Sequence, residues 1–549
     1  MKGKERKVSK ENIRFNTMAI ILIAIFCFAL SPVTLQNDTF YTIKIGEHII
    51  QNGIDMKDPF SYHDLTYTYP HWLYDVGIYL AYNIGGQVGV YISTIVLSIT
   101  LGILVYLTNV KLSKNKLTSF IITIGVMYLL RDYIAARAQL VTFILFVLTI
   151  YCIESFLESK KKRYCFGLVL IPIIIANVHV AVFPFYFVLY LPYIVEYMVY
   201  ILSNTKIIVI TSKIKSLHKK IGRAEDEEKV KEIKDKIKKL EEKEDKLIKE
   251  KERVNENPYK IILTRNDNVR ALIIVMIICL FTGLLTPLGN TPYTYLIKTM
   301  KGNTTQNISE HLPLVLANDI YYAFELLIFI LILTFTDTKI KLRDLFMLAG
   351  LTFLTFKSRR QESMFIIICA FILNRLVCSM FNKYDPEGCK KLIKRMTGIL
   401  GMIITINLVL IISIINYKPK MKDKFVDESS YPVMAADYIL NNLDIENIKL
   451  YNEYNYGSYL LFRGIPVFID SRADLYSPEF NEGVDIFNDY LNLAGLSIDN
   501  VEEVLDKYGI THLIMYKDAK LRTFIKQDKE KYEQLYEDDH FCIYERKQV

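Results

Sequence analysis

The sequence has few of the features that mark covalent, metal or nucleotide sites. Its 549 residues include eight cysteines but no C-x-x-C pair. Six cysteines lie in or beside apolar blocks without paired spacing, so neither a disulfide framework nor a thiolate metal site is predicted: Cys27, Cys152, Cys165, Cys279, Cys369 and Cys378. No G-x-G-x-x-G, P-loop, H-E-x-x-H or G-x-S-x-G pattern occurs in its required context. Tryptophan occurs once, as Trp72.

Apolar residues, by contrast, make up 52% of the chain and fall in blocks separated by short Lys-rich links. Blocks of about 15–25 apolar residues are typical of a multi-spanning membrane protein. The first block ends in Ser31-Pro32-Val33, a poor cleavage site, which favours an anchor over a signal peptide. We expect a mainly α fold with about 11 spans, near 18–33, 78–107, 117–130, 140–156, 166–177, 183–202, 271–285, 321–335, 345–356, 364–380 and 399–415.

The charges between the blocks predict how the chain is oriented. The net charge is +8, and Lys-rich links follow alternate spans, at 111–116, 160–163, 206–267, 337–344 and 383–395. Because positive loops stay in the cytoplasm, the N-terminus should be cytoplasmic and the C-terminal domain extracytoplasmic. The predicted location is the cell membrane, multi-pass. Positive charge on the cytoplasmic side is explained by membrane orientation and by contact with anionic lipid headgroups, so no nucleic-acid partner is expected.

Four domains follow from these shifts in composition. A first membrane half (1–205) carries an outer loop (36–75), and a charged insertion (206–267) precedes a second membrane half (268–416). Ile233, Ile237, Leu240 and Leu247 give the insertion a heptad-like seam, which indicates a cytoplasmic coiled-coil hairpin. That hairpin either docks a protein partner or is a solvated insertion.

The remaining residues, 417–549, read as an α/β domain. Helices are expected at Met434–Asn442 and Val501–Tyr508. Strands are expected at 449–453, 465–470, 510–516 and 541–544.

The outer loop contains the first candidate chemistry. Asp38 comes just after the first span, where a carboxylate could take a proton from an acceptor hydroxyl; the alternative is an ordinary solvated aspartate. Glu47, Asp58 and His71 could supply a second acid or ligands for a divalent metal, although their spacing matches no closed metal signature. Trp72 either stacks on a sugar ring or anchors the chain at headgroup level.

Basic residues at outer span ends break the positive-inside pattern. They are Arg131, Arg137, Arg359 and Arg360. Arginine forks suit phosphate oxygens, so these side chains are candidates for binding a polyprenyl phosphate headgroup; the alternative is snorkelling or pairing with nearby acids. Further outer candidates are Asn177, His179 and Glu310, and, in the C-terminal domain, Asp470, Arg472 and Asp474; the alternative for Arg472 is a pair with a neighbouring aspartate.

Two blocks carry a family resemblance. The first is Asp38-Thr-Phe40, Gly46, Gly53, Asp58-Pro-Phe-Ser61 and Trp72-Leu73; the second runs from Asn455-Tyr-Gly-Ser through Asp470-Ser-Arg-Ala-Asp474. With these blocks the chain resembles GT-C-type polytopic glycosyltransferases, in particular a largely uncharacterised bacterial group. The resemblance implies Asp38 as general base, outer arginines as phosphate contacts and a lipid-phosphate sugar as co-substrate.

The sequence therefore leaves three function classes open. The first is a glycosyltransferase acting on an extracytoplasmic acceptor. The second is a non-enzymatic scaffold in envelope assembly. The third is a lipid-linked glycan transporter, which buried mid-span acids such as Glu196 would favour.

Overall fold

The computed structural model describes residues 2–222, 227–255, 260–302, 304–497 and 500–547. It is mainly helical. The charged side chains of residues 1–13, which contributed to the predicted orientation, lie outside its described part. The first half of the chain forms eight α-helices: α1 (Lys2–Leu30), α2 (Asn37–Asn52), α3 (Trp72–Ser113), α4 (Lys116–Leu129), α5 (Ala138–Ser159), α6 (Lys162–Val178), α7 (Phe183–Val188) and α8 (Leu191–Ser203).

The charged insertion contains two helices, α9 (Thr205–Ile221) and α10 (Glu227–Asn255). They pack on each other through Ile210, Ile214 and Ile237, with Ile233, Leu240 and Leu247 beside them. The heptad-like seam predicted from the sequence is therefore the contact inside this pair. The apolar side chains of the seam are thus covered by the other helix of the pair.

The second half adds helices α11 (Val269–Leu280), α12 (Thr291–Lys301), α13 (Thr304–Asn307), α14 (Ile320–Phe335), α15 (Leu342–Lys357), α16 (Glu362–Tyr384), α17 (Pro386–Met396) and α18 (Ile399–Tyr417). Two short parallel strands pair with each other, β1 (Ile261–Ile262) before α11 and β2 (Ile340–Lys341) before α15. Inside the bundle, Glu154 and Asp344 accept ion pairs from Arg343 and Arg375. Because all four side chains are largely buried, the cluster holds α5, α15 and α16 together.

Five helical segments in the described ranges are long and apolar enough to cross a membrane: Trp72–Ser113, Ala138–Ser159, Val180–Ser203, Arg359–Tyr384 and Ile399–Lys422. Three shorter apolar helices are Arg14–Leu30, Val269–Leu284 and Ile320–Phe335. The other expected spans form α4, α6 and α15, of 14, 17 and 16 residues. At 1.5 Å per residue these reach about 21–26 Å, less than a ~30 Å hydrocarbon core. The structure thus has five full-length candidates where the sequence predicted about 11 spans.

The C-terminal residues combine helices with a four-stranded sheet of order β3-β4-β6-β5. Its elements are α19 (Val433–Asn442), β3 (Leu450–Tyr451), α20 (Tyr454–Phe462), α21 (Ile486–Gly495), α22 (Val501–Lys507), β4 (His512–Tyr516), α23 (Lys520–Ile525), β5 (Tyr532–Glu537) and β6 (Phe541–Arg546). Strand β3 is parallel to β4, and the other pairs are antiparallel. The helices expected at 434–442 and 501–508 are confirmed.

Two local predictions were wrong. Residues 465–470 form no strand of this sheet; Val467 instead makes an isolated bridge to Ser61 of the outer loop. The start of that loop is helix α2, not irregular backbone. A side chain at Gly46 would place its Cβ 2.2 Å from the carbonyl of Asp75, so glycine permits α2 to pack closely on α3.

Candidate active site

One cavity of about 550 Å³ lies where the outer loop, the span ends and the C-terminal domain meet. Its walls come from the first turn of α2, the turn before α5, residues 308–311, residues 359–360 and the segments 454–455 and 471–475. Most candidates predicted from the sequence line it, together with His311: Asp38, His71, Arg137, His179, Glu310, Arg359, Arg360, Arg472 and Asp474. The cavity thus combines carboxylates, guanidinium groups and imidazoles.

Arg137 links two of the carboxylates. It caps α5, and its guanidinium contacts Asp38 through Nη2, while Nη1 lies 3.1 Å from Oε1 of Glu310. Although burial opposes its charge, Asp38 and Glu310 raise the pKa of Arg137 further above its usual value. Burial raises the pKa of Glu310, but Arg137 and Arg360 outweigh it and lower the pKa overall. Arg137 and Glu310 are therefore charged at neutral pH, and the Asp38 carboxylate is held by Arg137.

Arg360 differs from Arg137 in its partners. It lies in a 3₁₀ turn (Arg359–Gln361) at the cavity wall and is only half-buried. Among the described residues no ion pair to its side chain is formed. Burial, reinforced by Arg360, lowers the pKa of His71 to about 4 and that of His179 well below its usual value. The two imidazoles pack edge to face, 4.8 Å apart, and are neutral at pH 7.

A second, apolar cavity of about 60 Å³ adjoins this point. It shares Gln139, His179 and Arg360 with the main cavity. Its remaining walls are mostly apolar side chains of α5, α7, α15, α16 and their ends, including Phe143, Phe146, Val188, Leu189, Leu351, Leu354 and Met364. Arg360 therefore stands at the boundary between a polar chamber and an apolar groove.

The C-terminal domain forms another wall of the main cavity. Asp474 accepts hydrogen bonds from three hydroxyl groups of the α12–α13 segment: Tyr295 at 3.0 Å, Thr299 at 2.9 Å and Thr304 at 3.2 Å. Asn37 donates to the carbonyl of Tyr454 at 3.0 Å and ties this wall to α2. The sequence did not single out the three hydroxyl residues, since nothing in their spacing points to a distant aspartate.

Arg472 fixes that wall to the outer loop through a buried ion cluster. Its Nη1 lies 2.7 Å from Oδ1 of Asp58, and its Nη2 lies 2.6 Å from Oδ2 of Asp470. The Arg472 side chain is 3% exposed and both carboxylates are 0% exposed. Asp58, considered above as a second acid or metal ligand, is therefore committed to Arg472 and does not line the cavity.

Four other candidates also lie outside the cavity. Glu47 pairs with Lys44. Trp72 donates its Nε1–H to Oδ1 of Asn177 at 3.2 Å, a contact that pins α3 to α6. Arg131 lies over the ring of Tyr128, 4.4 Å from its centroid. These contacts favour a structural role over substrate binding for all four residues.

No group of three or more His, Cys, Asp or Glu side chains that could hold a metal ion occurs among the described residues. The carboxylates of Asp38, Glu310 and Asp474 line the main cavity, and each contacts another side chain of the protein. A divalent cation would have to compete with those partners.

A scan against protein-family models finds no match to this chain, and a search of curated proteins finds none either. The resemblance to GT-C proteins therefore stays a prediction.

Proposed function

We propose that this chain is a GT-C-like membrane glycosyltransferase that moves a sugar from a polyprenyl-phosphate-linked donor to an extracytoplasmic acceptor, such as a cell-envelope glycan, lipid or protein. The observation that carries the proposal is the cavity that Asp38, Arg137 and Arg360 line together and that adjoins an apolar groove. An acid, phosphate-binding cations and a place for a hydrocarbon chain are what this transfer needs.

The donor fits the boundary at Arg360. Guanidinium groups bind phosphate oxygens through paired, charge-assisted hydrogen bonds. Arg360 is available for this role because it forms no ion pair within the described residues. The apolar groove next to it would take the first isoprene units, which a soluble nucleotide-sugar donor would leave unused.

In the proposed reaction Asp38 is the general base. The acceptor oxygen attacks the anomeric carbon, the bond from that carbon to the phosphate oxygen breaks, and polyprenyl phosphate leaves with the electron pair. The acceptor proton passes to the carboxylate of Asp38. Arg137 and Arg360 stabilise the charge that develops on the leaving phosphate.

The contact between Arg137 and Asp38 gives this scheme an order of binding. Arg137 holds Asp38 and Glu310 together. A donor phosphate competes with these carboxylates for the guanidinium group, so its arrival would release Asp38. The base is then free only when a donor is present, and donor binding should precede acceptor binding.

Transfer from labelled polyprenyl-phosphate sugars by the reconstituted protein tests the proposal. Asp38→Asn should lower the rate by about 10²–10⁴-fold, the usual contribution of general-base catalysis. Asp64→Asn, in an exposed part of the same loop, is the matched control and should leave the rate unchanged. Equal transfer by wild type and Asp38→Asn would remove Asp38 from the mechanism.

The transporter alternative rests on buried acids in the spans. Glu196 is buried, but its Oε2 lies 3.9 Å from Arg343 in the ion cluster of the bundle. Glu154 in the same cluster pairs with both Arg343 and Arg375. Acids held by arginine in this way suit a structural role better than a moving charge.

A further inference from the structure

Helix α17 is a short amphipathic helix between two of the candidate spanning segments. Its apolar side chains recur at helical spacing and share one face: Cys389, Leu392, Ile393 and Met396. Four bases occupy the opposite face: Lys390, Lys391, Lys394 and Arg395. Helices of this kind lie in the plane of a membrane interface rather than across it.

The apolar face of α17 is only partly covered by the protein. Ile393 and Met396 pack on the core of the helical bundle, whereas Leu392 is 52% exposed. A Cβ at Gly401 would lie 2.4 Å from the carbonyl oxygen of Arg395, so glycine lets α18 touch the last turn of α17. This close contact fixes α17 at the start of α18 and leaves Leu392 unpacked.

The basic face of α17 is almost free of internal partners. Lys390 pairs with Glu387 at 3.2 Å. Lys391, Lys394 and Arg395 are exposed and form no ion pair with any acid in the described ranges. The helix therefore presents three cations without an acidic partner in the described ranges and, on its apolar face, an exposed leucine.

We propose that α17 lies in the headgroup layer of the cytoplasmic leaflet and binds anionic phospholipid. Leu392 would enter the acyl region while Lys391, Lys394 and Arg395 contact lipid phosphates. Exposed apolar side chains continue this surface into the adjoining helices: Phe381, Tyr384, Ile399 and Leu400. The proposal is independent of the glycosyltransferase reaction, because α17 contributes nothing to the cavity.

The test uses the full-length protein in phosphatidylcholine nanodiscs with a trace of phosphatidylglycerol that carries a photoactivatable headgroup. Wild-type protein should be labelled within residues 386–402, and unlabelled phosphatidylglycerol should compete where phosphatidylcholine does not. Labelling confined to other segments would overturn the proposal. This arm needs no substitution, so it does not depend on whether a variant folds.

A charge reversal provides the second arm. K391E/K394E/R395E should reduce labelling of the segment by roughly tenfold or more, because three attractive contacts to an anionic headgroup become repulsive. The matched control K234E/K238E/K239E makes the same charge change on exposed positions of α10 and should label like wild type. Equal labelling of wild type and the α17 variant would also overturn the proposal.

Discussion

Replacing Arg472 by methionine should loosen the contact between the outer loop and the C-terminal domain. Methionine keeps much of the side-chain volume but removes the guanidinium group that joins Asp58 to Asp470. Two carboxylates, both 0% exposed, would then face each other without a cation. Buried charges without a partner are among the most costly defects in a protein interior.

The expected magnitude follows from this burial. Breaking a buried ion pair by removing one partner costs about 3–5 kcal/mol. Protonation of one carboxylate relieves part of that cost, so we expect about 3 kcal/mol. At about 1.4 kcal/mol per factor of ten, the local opening equilibrium should rise by roughly a hundredfold.

Hydrogen exchange measured by mass spectrometry reports this opening where it occurs. The amide of Asp58 donates to the carbonyl of Leu65, that of Tyr67 to Met56 and that of Val467 to Phe60. Exchange in these segments should accelerate in Arg472→Met. In the control, Arg463→Met breaks a pair whose partners are 24% and 45% exposed, so its effect should stay below about 1 kcal/mol. Unchanged exchange in Arg472→Met would refute the reasoning.

Three further predictions follow from single residues. Arg360→Ala should raise the donor KM at least tenfold, with partial recovery in Arg360→Lys, whereas Arg131→Ala should leave it unchanged in the same transfer assay. Burial lowers the pKa of His63 from 6.5 to about 4, so stability is fully present above pH 6.5 and falls towards pH 4 by about 1.4 kcal/mol per pH unit. Hydrogen exchange, corrected for the pH dependence of the intrinsic exchange rates, should show this change of stability with pH, and His63→Gln should abolish it. Gly457→Ala should destabilise the protein by about 1–3 kcal/mol in thermal unfolding, because its Cβ would lie 2.0 Å from the carbonyl oxygen of Ile469.

The sequence could predict that the chain forms a bundle of apolar helices, because apolar blocks and Lys-rich links are properties of the local chain. The number of spans could not. Arg343 and Asp344 lie in the first turn of α15; the sequence placed them in the charged link 337–344, but they are buried in an ion cluster with Glu154 and Arg375. Local composition does not reveal that a charged link folds back against distant helices.

The sequence could predict several residues that line the site but not how their side chains are arranged. Asp38, Arg137 and Glu310 were all candidates, yet nothing in their positions shows that one guanidinium group contacts both carboxylates. Such contacts join residues 99 and 173 positions apart and depend on how the outer loop folds. The helical start of that loop was missed because its polar residues suggested exposure, although one face of α2 packs on α3 and on the C-terminal domain.

One part of each sequence block that carried the family resemblance meets the other in the folded chain. Asp58-Pro-Phe-Ser61 and Asp470-Ser-Arg472 are far apart in the chain but meet in the buried ion cluster, and Val467 bridges Ser61 beside it. A buried arginine between two aspartates contributes little net stability over apolar side chains, so stability alone does not explain it. Its geometric effect is specific, because it fixes the segment that presents Ser471 and Asp474 to the cavity. We infer that the segments 58–61 and 470–472 set the position of the cavity wall that carries Ser471 and Asp474.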